Sequence, residues 1–240
     1  MDANTEAIIR LAWARMLDLS DDALLPAGLS SPGEIDRPVA RIERVNDRSA
    51  ISLVRLLGHS VLSGPEWALA AARTFDDDAL TPHRLLTLAV DHGPRLLGEA
   101  ALAYTDRYVD HPDLEGARVT DDPQAVADLL ARCPADDAGE AGVEQLTDRW
   151  VLLDSADLPV ALAGFQVWGD IIAHLGVITA LDDRRRGYGG LAAALATNEA
   201  LDAGLIPQWR ARIDNRSSLA LAAVLGFERV GSQTTVLVNP

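Results

Sequence analysis

Gly176-Val-Ile-Thr-Ala-Leu-Asp-Asp-Arg-Arg-Arg-Gly-Tyr-Gly-Gly-Leu-Ala192 is an apolar run that passes through a charged, glycine-rich loop into an alanine-rich segment. The β-branched Val177, Ile178 and Thr179 favour a strand. Leu191–Ala203, followed by Gly204 at the C′ position, favours a helix. A strand that feeds a glycine loop at the head of a helix makes an anion site. Backbone N–H groups converge there, the helix dipole favours negative charge, and glycine lets a phosphate come close. Arg184, Arg185 and Arg186 add guanidinium groups at the rim. The chain contains no lysine, which excludes a P-loop of the G-x-x-x-x-G-K-[S/T] kind. Gly187-Tyr-Gly189-Gly-Leu-Ala192 does match the dinucleotide pattern G-x-G-x-x-A. In a dinucleotide fold, however, the glycines follow the strand almost directly and an acid ends a second strand. Here Asp182–Arg186 intervene, and Asp202 falls within or at the end of the helix, so the dinucleotide reading is the weaker one.

Working outward, Trp150–Leu153, Pro159–Val167 and Ile171–Thr179 read as strands joined by turns at Asp154–Leu158 and Trp168-Gly169-Asp170. Thr120 or Asp121 caps a helix that runs to about Arg132 with Pro123 in its first turn, and a short helix follows over Gly139–Leu146. After the glycine loop and its helix come a strand at Gln208–Ile213, a helix at Ser217–Leu225 and a strand from Glu228 towards Val238. Upstream, a helix over Thr5–Leu17 precedes a loop rich in Asp, Pro, Gly and Ser. Strands then follow at Ile51–Leu57 and Ser60–Gly64, helices at Pro65–Arg73 and Pro82–Val90, and a strand at Leu96–Ala103. The turn-rich Asp106–Gly116 reads as the linker. The expected architecture is α/β with a mixed sheet. Residues 1–112 form a smaller N-terminal α/β region and 113–240 the functional domain.

Two segments together carry a family resemblance. Arg184-x-x-Gly187-x-Gly189 resembles the [Q/R]-x-x-G-x-[G/A] signature of the GNAT acyltransferases. Asn215-Arg-Ser-Ser-Leu-Ala-Leu-Ala-Ala-Val-Leu-Gly226-Phe227 resembles that family's following asparagine-to-Gly-Phe block, at the expected distance. The resemblance covers about residues 115–240 and extends to a bacterial subgroup with an extra N-terminal region. It implies a GNAT-like fold in the C-terminal half, acetyl-CoA as donor and an amine or peptide N-terminus as acceptor, attacked directly in a ternary complex. The N-terminal region would then be either a degenerate partner half or a wall of the acceptor site. The resemblance also implies roles for particular residues. Main-chain groups of Val177, Ile178 and Thr179 would pair with the pantetheine arm, and N–H groups from Arg185 to Gly190, Tyr188 included, would hold the diphosphate. Asn215 would lie along the arm or near the thioester. Many members carry a tyrosine seven residues after the asparagine as the acid for the departing thiolate; that position is Ala222. A thiol pKa of about 8.5 leaves thiolate a tolerable leaving group without it.

The family's usual glutamate base is not evident. His174 is the nearest titratable substitute, with a pKa suited to relaying an ammonium proton near neutrality, and Asp170 is the runner-up. Each singled-out residue also has a plain structural reading. His174 suits a hydrogen-bonded position in the strand, Asn215 an N-cap, Tyr188 a packing role and Trp209 the core. Trp168 is a candidate wall of the acceptor pocket. Cys133 reads as an incidental thiol, and Asp76-Asp-Asp78 as a solvated loop. His59, His83, His92 and His111 show no metal spacing, so no metal is expected. Without an activated nucleophile, transfer proceeds with no covalent enzyme intermediate. A non-catalytic acyl-CoA-binding or regulatory protein on the same scaffold is the competing class, kept open by Ala222.

Composition agrees with these readings. The 240 residues are 48% hydrophobic and 24% charged, which suits a soluble globular chain. No stretch reaches the roughly 18 uncharged apolar residues of a membrane helix. A net charge of −15 disfavours nucleic acid as a partner and suits a cationic or amine-bearing substrate. One cysteine and an acidic N-terminus lead to the expectation of a reducing, cytoplasmic setting.

Overall fold

The computed structural model describes residues 1–26, 41–46 and 49–239. Most of the Asp/Pro/Gly/Ser-rich loop after the first helix lies outside them. In chain order the elements begin with α1 (Ala3–Met16), β1 (Ile42–Val45), β2 (Ala50–Leu56), β3 (His59–Gly64), α2 (Glu66–Ala72), α3 (Pro82–Leu88) and β4 (Arg95–Tyr104). They continue with β5 (Arg118–Thr120), α4 (Pro123–Leu130), α5 (Ala135–Glu140), β6 (Asp148–Leu153), β7 (Pro159–Trp168) and β8 (Ile172–Thr179). The last elements are α6 (Tyr188–Asp202), β9 (Ile206–Arg212), α7 (Arg216–Val224) and β10 (Glu228–Leu237). The mixed α/β class expected from the sequence is the observed one.

Three local expectations change. Asp122, whose carboxylate accepts from the Gln124 N–H at 2.9 Å, caps α4 in place of Thr120 or Asp121. The helix expected over Gly139–Leu146 is instead α5 followed by a 3-10 turn at Val143–Gln145. Left-handed Gly142 (φ 63°) separates the two and breaks the α-helical run. Helix α6 starts at Tyr188, three residues before Leu191, because Gly187 in the left-handed region ends the loop and the next glycines adopt helical geometry.

Residues group into two compact units. The first holds Met1–Thr5, Tyr104–Arg210 and Ser217–Glu228; the second holds Glu6–Ala103, Ala211–Arg216 and Arg229–Pro240. In the second unit the strand order is β1-β3-β2-β10-β4, with β1 parallel to β3 and β2 antiparallel to both β3 and β10. Its core gathers Ile51, Leu53, Leu62, Leu69, Leu80, Leu85 and Val236.

In the first unit the order is β9-β8-β7-β6-β5, antiparallel throughout except for the parallel pair β8–β9 that α6 connects. The strands are buried on both faces. Leu162 and Ile178 pack with Val126 and Leu129 of α4, while Ala161, Ala163 and Ala173 point the other way and are fully buried. With α4 on one face, α6 takes the opposite one, where its buried alanines allow a close approach to β7 and β8. Each fully buried leucine here contributes roughly 2 kcal/mol. On the α4 face, a Cβ added to Gly176 would meet the Ala141 carbonyl oxygen at 2.2 Å, so glycine lets the α5 segment rest directly on β8.

Candidate functional site

Strands β8 and β9 do not stay together. Their parallel register runs through Ile172↔Ile206, Ala173↔Pro207 and His174↔Gln208 and goes no further, although β8 continues to Thr179 and β9 to Arg212. From Leu175 to Thr179, β8 keeps β7 on one side, while its β9-facing edge carries no β9 partner. Peptide N–H and C=O groups on such an edge are free to pair with another extended chain. Val177 and Thr179 are half-buried and Ile178 sits in the core, so these residues offer main chain more than side chain.

The glycine loop lies at the far end of this edge. After β8, a 3-10 turn at Leu181–Asp183 leads to extended Arg184, and then Arg185 (φ 61°) and Gly187 (φ 91°) both turn left-handed, with Arg186 between them. Turns with such left-handed residues are the kind that aim successive N–H groups at an anion, and this one stands at the head of the fifteen-residue α6. A Cβ on Gly187 would have no heavy atom within 4 Å, so the loop stands open at that point. The three arginines have different surroundings. Arg184 ion-pairs with Asp137. Arg186 pairs with Asp183 at 2.7 Å and lies over the Tyr188 ring at 5.4 Å. Arg185 has no ion pair among the described residues. Asp183 itself is buried and also takes Arg132 at 2.6 Å, which ties the loop to the end of α4. A cavity of ≈ 340 Å³ opens beside the loop, lined by Arg118, Leu153, Asp154, Arg186, Gly187 and Tyr188 among others.

His174 stands where the strands part. Its Nδ1 lies 3.0 Å from the Gln208 side-chain oxygen, and the Gln208 amide nitrogen donates to the Tyr104 hydroxyl. With Gln208 accepting, Nδ1 carries the ring proton and Nε2 is left as an acceptor. Trp168 stacks on the imidazole at 4.0 Å, held by its own Nε1 bond to Gln166 at 3.0 Å. Burial first, and the positive charge of Arg210 second, push the His174 pKa down to about 4, with the Gln208 hydrogen bond opposing them. This corrects the expected near-neutral proton relay: the ring is uncharged at pH 7. Its folded pKa lies below the unfolded value of 6.5. The stability it contributes is therefore complete above about pH 6.5 and is lost as pH falls towards 4. The ceiling is about 3 kcal/mol. Urea unfolding at pH 7 and pH 4.5 should show a larger acid loss in the parent protein than in His174→Gln; equal losses would contradict this environment.

The other sequence-derived candidates have surroundings of their own. Asp170 is exposed in the hairpin turn before β8, about 30 Å along the strand from Thr179. Asn215 belongs to the second unit, immediately before α7, where its N–H bonds the Arg212 carbonyl at 3.0 Å. Ala222 is buried in α7. Trp209 is a core residue, its Nε1 donating to Ser218 at 2.9 Å. The Cys133 thiol is raised, chiefly by burial, and is not an activated nucleophile. His59 bonds Arg10 and His92 stacks on Trp67, and no group of three His, Cys, Asp or Glu among the described residues could hold a metal. No helix among them is long and apolar enough to cross a membrane. Gln208, Tyr104, Arg210 and Asp183 were not singled out in the sequence. The alternation of Gln208, Arg210 and Arg212 with buried Pro207, Trp209 and Ala211 was the available signal for β9. Nothing local pointed to Tyr104.

Residues 158–236 match the family model described as GNAT acetyltransferase. A search of curated proteins finds no match. Solved structures with a similar fold include a GNAT-family protein from Novosphingobium aromaticivorans, 19% identical, covering 62% of this chain and 69% of that one with a TM-score of 0.48. A GCN5-related N-acetyltransferase from Kribbella flavida is 20% identical over 65% of this chain and 64% of its own, with a TM-score of 0.43. A GCN5-related N-acetyltransferase-like protein from Streptococcus suis is 21% identical over 65% and 67%, with a TM-score of 0.44.

Proposed function

We propose, from the match of residues 158–236 to the GNAT acetyltransferase family model, that the protein moves an acetyl group from acetyl-CoA to the amine of a small molecule or a peptide N-terminus by direct attack in a ternary complex. The observation that carries this reading is the fork. The β8–β9 ladder stops at His174↔Gln208, and the glycine loop stands at the other end of the unpaired stretch. The five residues from Leu175 to Thr179 span about 16 Å, a length that an extended pantetheine arm covers. Bound there, acetyl-CoA supplies the thioester that is attacked. Main-chain groups of Val177, Ile178 and Thr179 pair with the arm. The N–H groups of Arg185, Arg186, Gly187, Tyr188, Gly189 and Gly190 hold the diphosphate, with the Arg184, Arg185 and Arg186 guanidiniums at the rim.

His174 then meets the reacting end. A neutral ring with Nδ1 committed to Gln208 presents Nε2 as a hydrogen-bond acceptor to the incoming amine, orienting its lone pair towards the carbonyl. Any rate limb near neutrality belongs to another group, such as the amine itself, since His174 titrates at about 4. Asp170, exposed in the hairpin turn four residues before His174, is the second candidate to take the amine proton. With Ala222 in place of a phenol, the thiolate leaves without an acid at that position. A second reading, an acyl-CoA-binding protein without turnover, draws on that same buried alanine.

Two measurements test the proposal. Acetyl-CoA should raise the melting temperature while NAD(P) does not; stabilisation by NAD(P) alone overturns the donor assignment. Free-thiol release from acetyl-CoA should then depend on one or more members of an amine panel. Tight acetyl-CoA binding with no amine-dependent release supports the non-catalytic reading.

A further inference from the structure

Arg210 is the first residue of β9 on the His174 face beyond the last rung of the ladder: strand alternation puts Gln208 and Arg210 on one side, and Gln208 is bonded to His174. In a chain with fifteen more acids than bases, carboxylates cover many of the arginines, yet Arg210 has neither an ion pair nor a hydrogen bond among the described residues. Its side chain is exposed. Desolvation is nonetheless the leading influence on it, lowering its pKa, and its charge is felt at both Tyr104 and His174. A guanidinium on the His174 face without a carboxylate partner among the described residues has its donors available for charge-assisted hydrogen bonds to an arriving anion.

We propose that Arg210 receives a carboxylate at the fork, so that the protein selects a reactant carrying a carboxylate next to its reacting centre. The chemistry is a two-pronged guanidinium–carboxylate contact, beside the Nε2 acceptor of His174 that takes the amine N–H. The carboxylate is carried by the acceptor, as in an amino acid, or by the acyl group, as in succinyl-CoA. The inference rests on the acyl-transfer reading above and names the substrate class for that same site.

The test has two turnover arms and one binding arm. In the first, acetyl-CoA is offered with a panel of amino acids and the corresponding amino acid amides. In the second, a neutral amine is offered with succinyl-CoA and with butyryl-CoA. A carboxylate preference of about ten- to a hundredfold in kcat/KM, the range of a charge-assisted hydrogen bond, is expected in one arm, and that arm identifies the source. Arg210→Gln should abolish the preference and Arg210→Lys should restore part of it, while both variants keep the acetyl-CoA thermal shift. Equal use of charged and neutral partners in both arms, or a preference that survives Arg210→Gln, overturns the proposal. The binding arm needs no turnover. Fluorescence of the protein, with Trp168 stacked at the site, is titrated with N-acetyl amino acids and with their amides in the presence of CoA. Carboxylate-selective binding that Arg210→Gln removes upholds the role of Arg210 even if no amine is ever acylated, and the failure then falls on the acyl-transfer reading alone. Absence of selective binding together with absence of selective turnover overturns the role of Arg210.

Discussion

Gly187→Val should weaken acetyl-CoA binding about a hundredfold while leaving most of the fold intact. Gly187 has φ 91°, in the left-handed region, and no heavy atom would contact an added Cβ. The effect therefore comes from the backbone and not from a clash. A β-branched residue cannot hold that conformation without strain of about 1–3 kcal/mol. The loop can relieve this by turning the peptide, which rotates one or more N–H groups out of the concavity at the head of α6. Losing two of these contacts, at about 1.5 kcal/mol each for an anionic partner, gives the stated factor. Gly187→Asn is the informative companion, because asparagine tolerates left-handed geometry far better than valine and should retain most of the affinity. Isothermal titration with acetyl-CoA, alongside circular dichroism, checks both. Undiminished binding by the valine variant would mean that the loop does not hold the diphosphate.

Asp183→Ala should lower stability by about 2 kcal/mol and raise the KM for acetyl-CoA. Asp183 is buried and binds Arg132 at 2.6 Å and Arg186 at 2.7 Å with its two oxygens. Breaking a buried pair from one side commonly costs about 3–5 kcal/mol. The figure is smaller here because both arginines reach solvent and can rehydrate, Arg132 being 28% and Arg186 58% exposed. The functional effect follows from position. Asp183 fixes the loop to the end of α4 and fixes Arg186 beside Gly187, so its loss frees the segment that is meant to be preorganised. Urea unfolding at pH 7 with an unchanged m-value, and initial rates at varied acetyl-CoA, check the two parts. Asp21→Ala, which removes an exposed partner of Arg15, is the control and should leave the unfolding midpoint where it was.

Much of the first unit was legible because its signals are local. The strands Pro159–Trp168 and Ile172–Thr179 announce themselves by apolar, β-branched runs between turn residues, and Gly204 marks the end of α6. The glycine loop was found for the same reason, since left-handed geometry is written in the residue type. Where local signals compete, the tertiary fold chooses among them: Asp122 takes the cap from its neighbours, and Gly142 splits an expected helix. β1 carries no comparable local signal; the pairing of its four residues with β3 is supplied by tertiary context.

By itself, the sequence determined most element types, the glycine loop and the family motifs around Arg184–Gly189 and Asn215–Phe227, all properties of neighbouring residues. Only the tertiary structure decided where β8 and β9 separate, and that β10 pairs with β2, some 180 positions earlier in the chain. It also decided that His174 meets Gln208 and Tyr104 and loses its near-neutral pKa. Register, burial and electrostatic surroundings are sums over residues brought together by folding, and no short stretch of chain carries them.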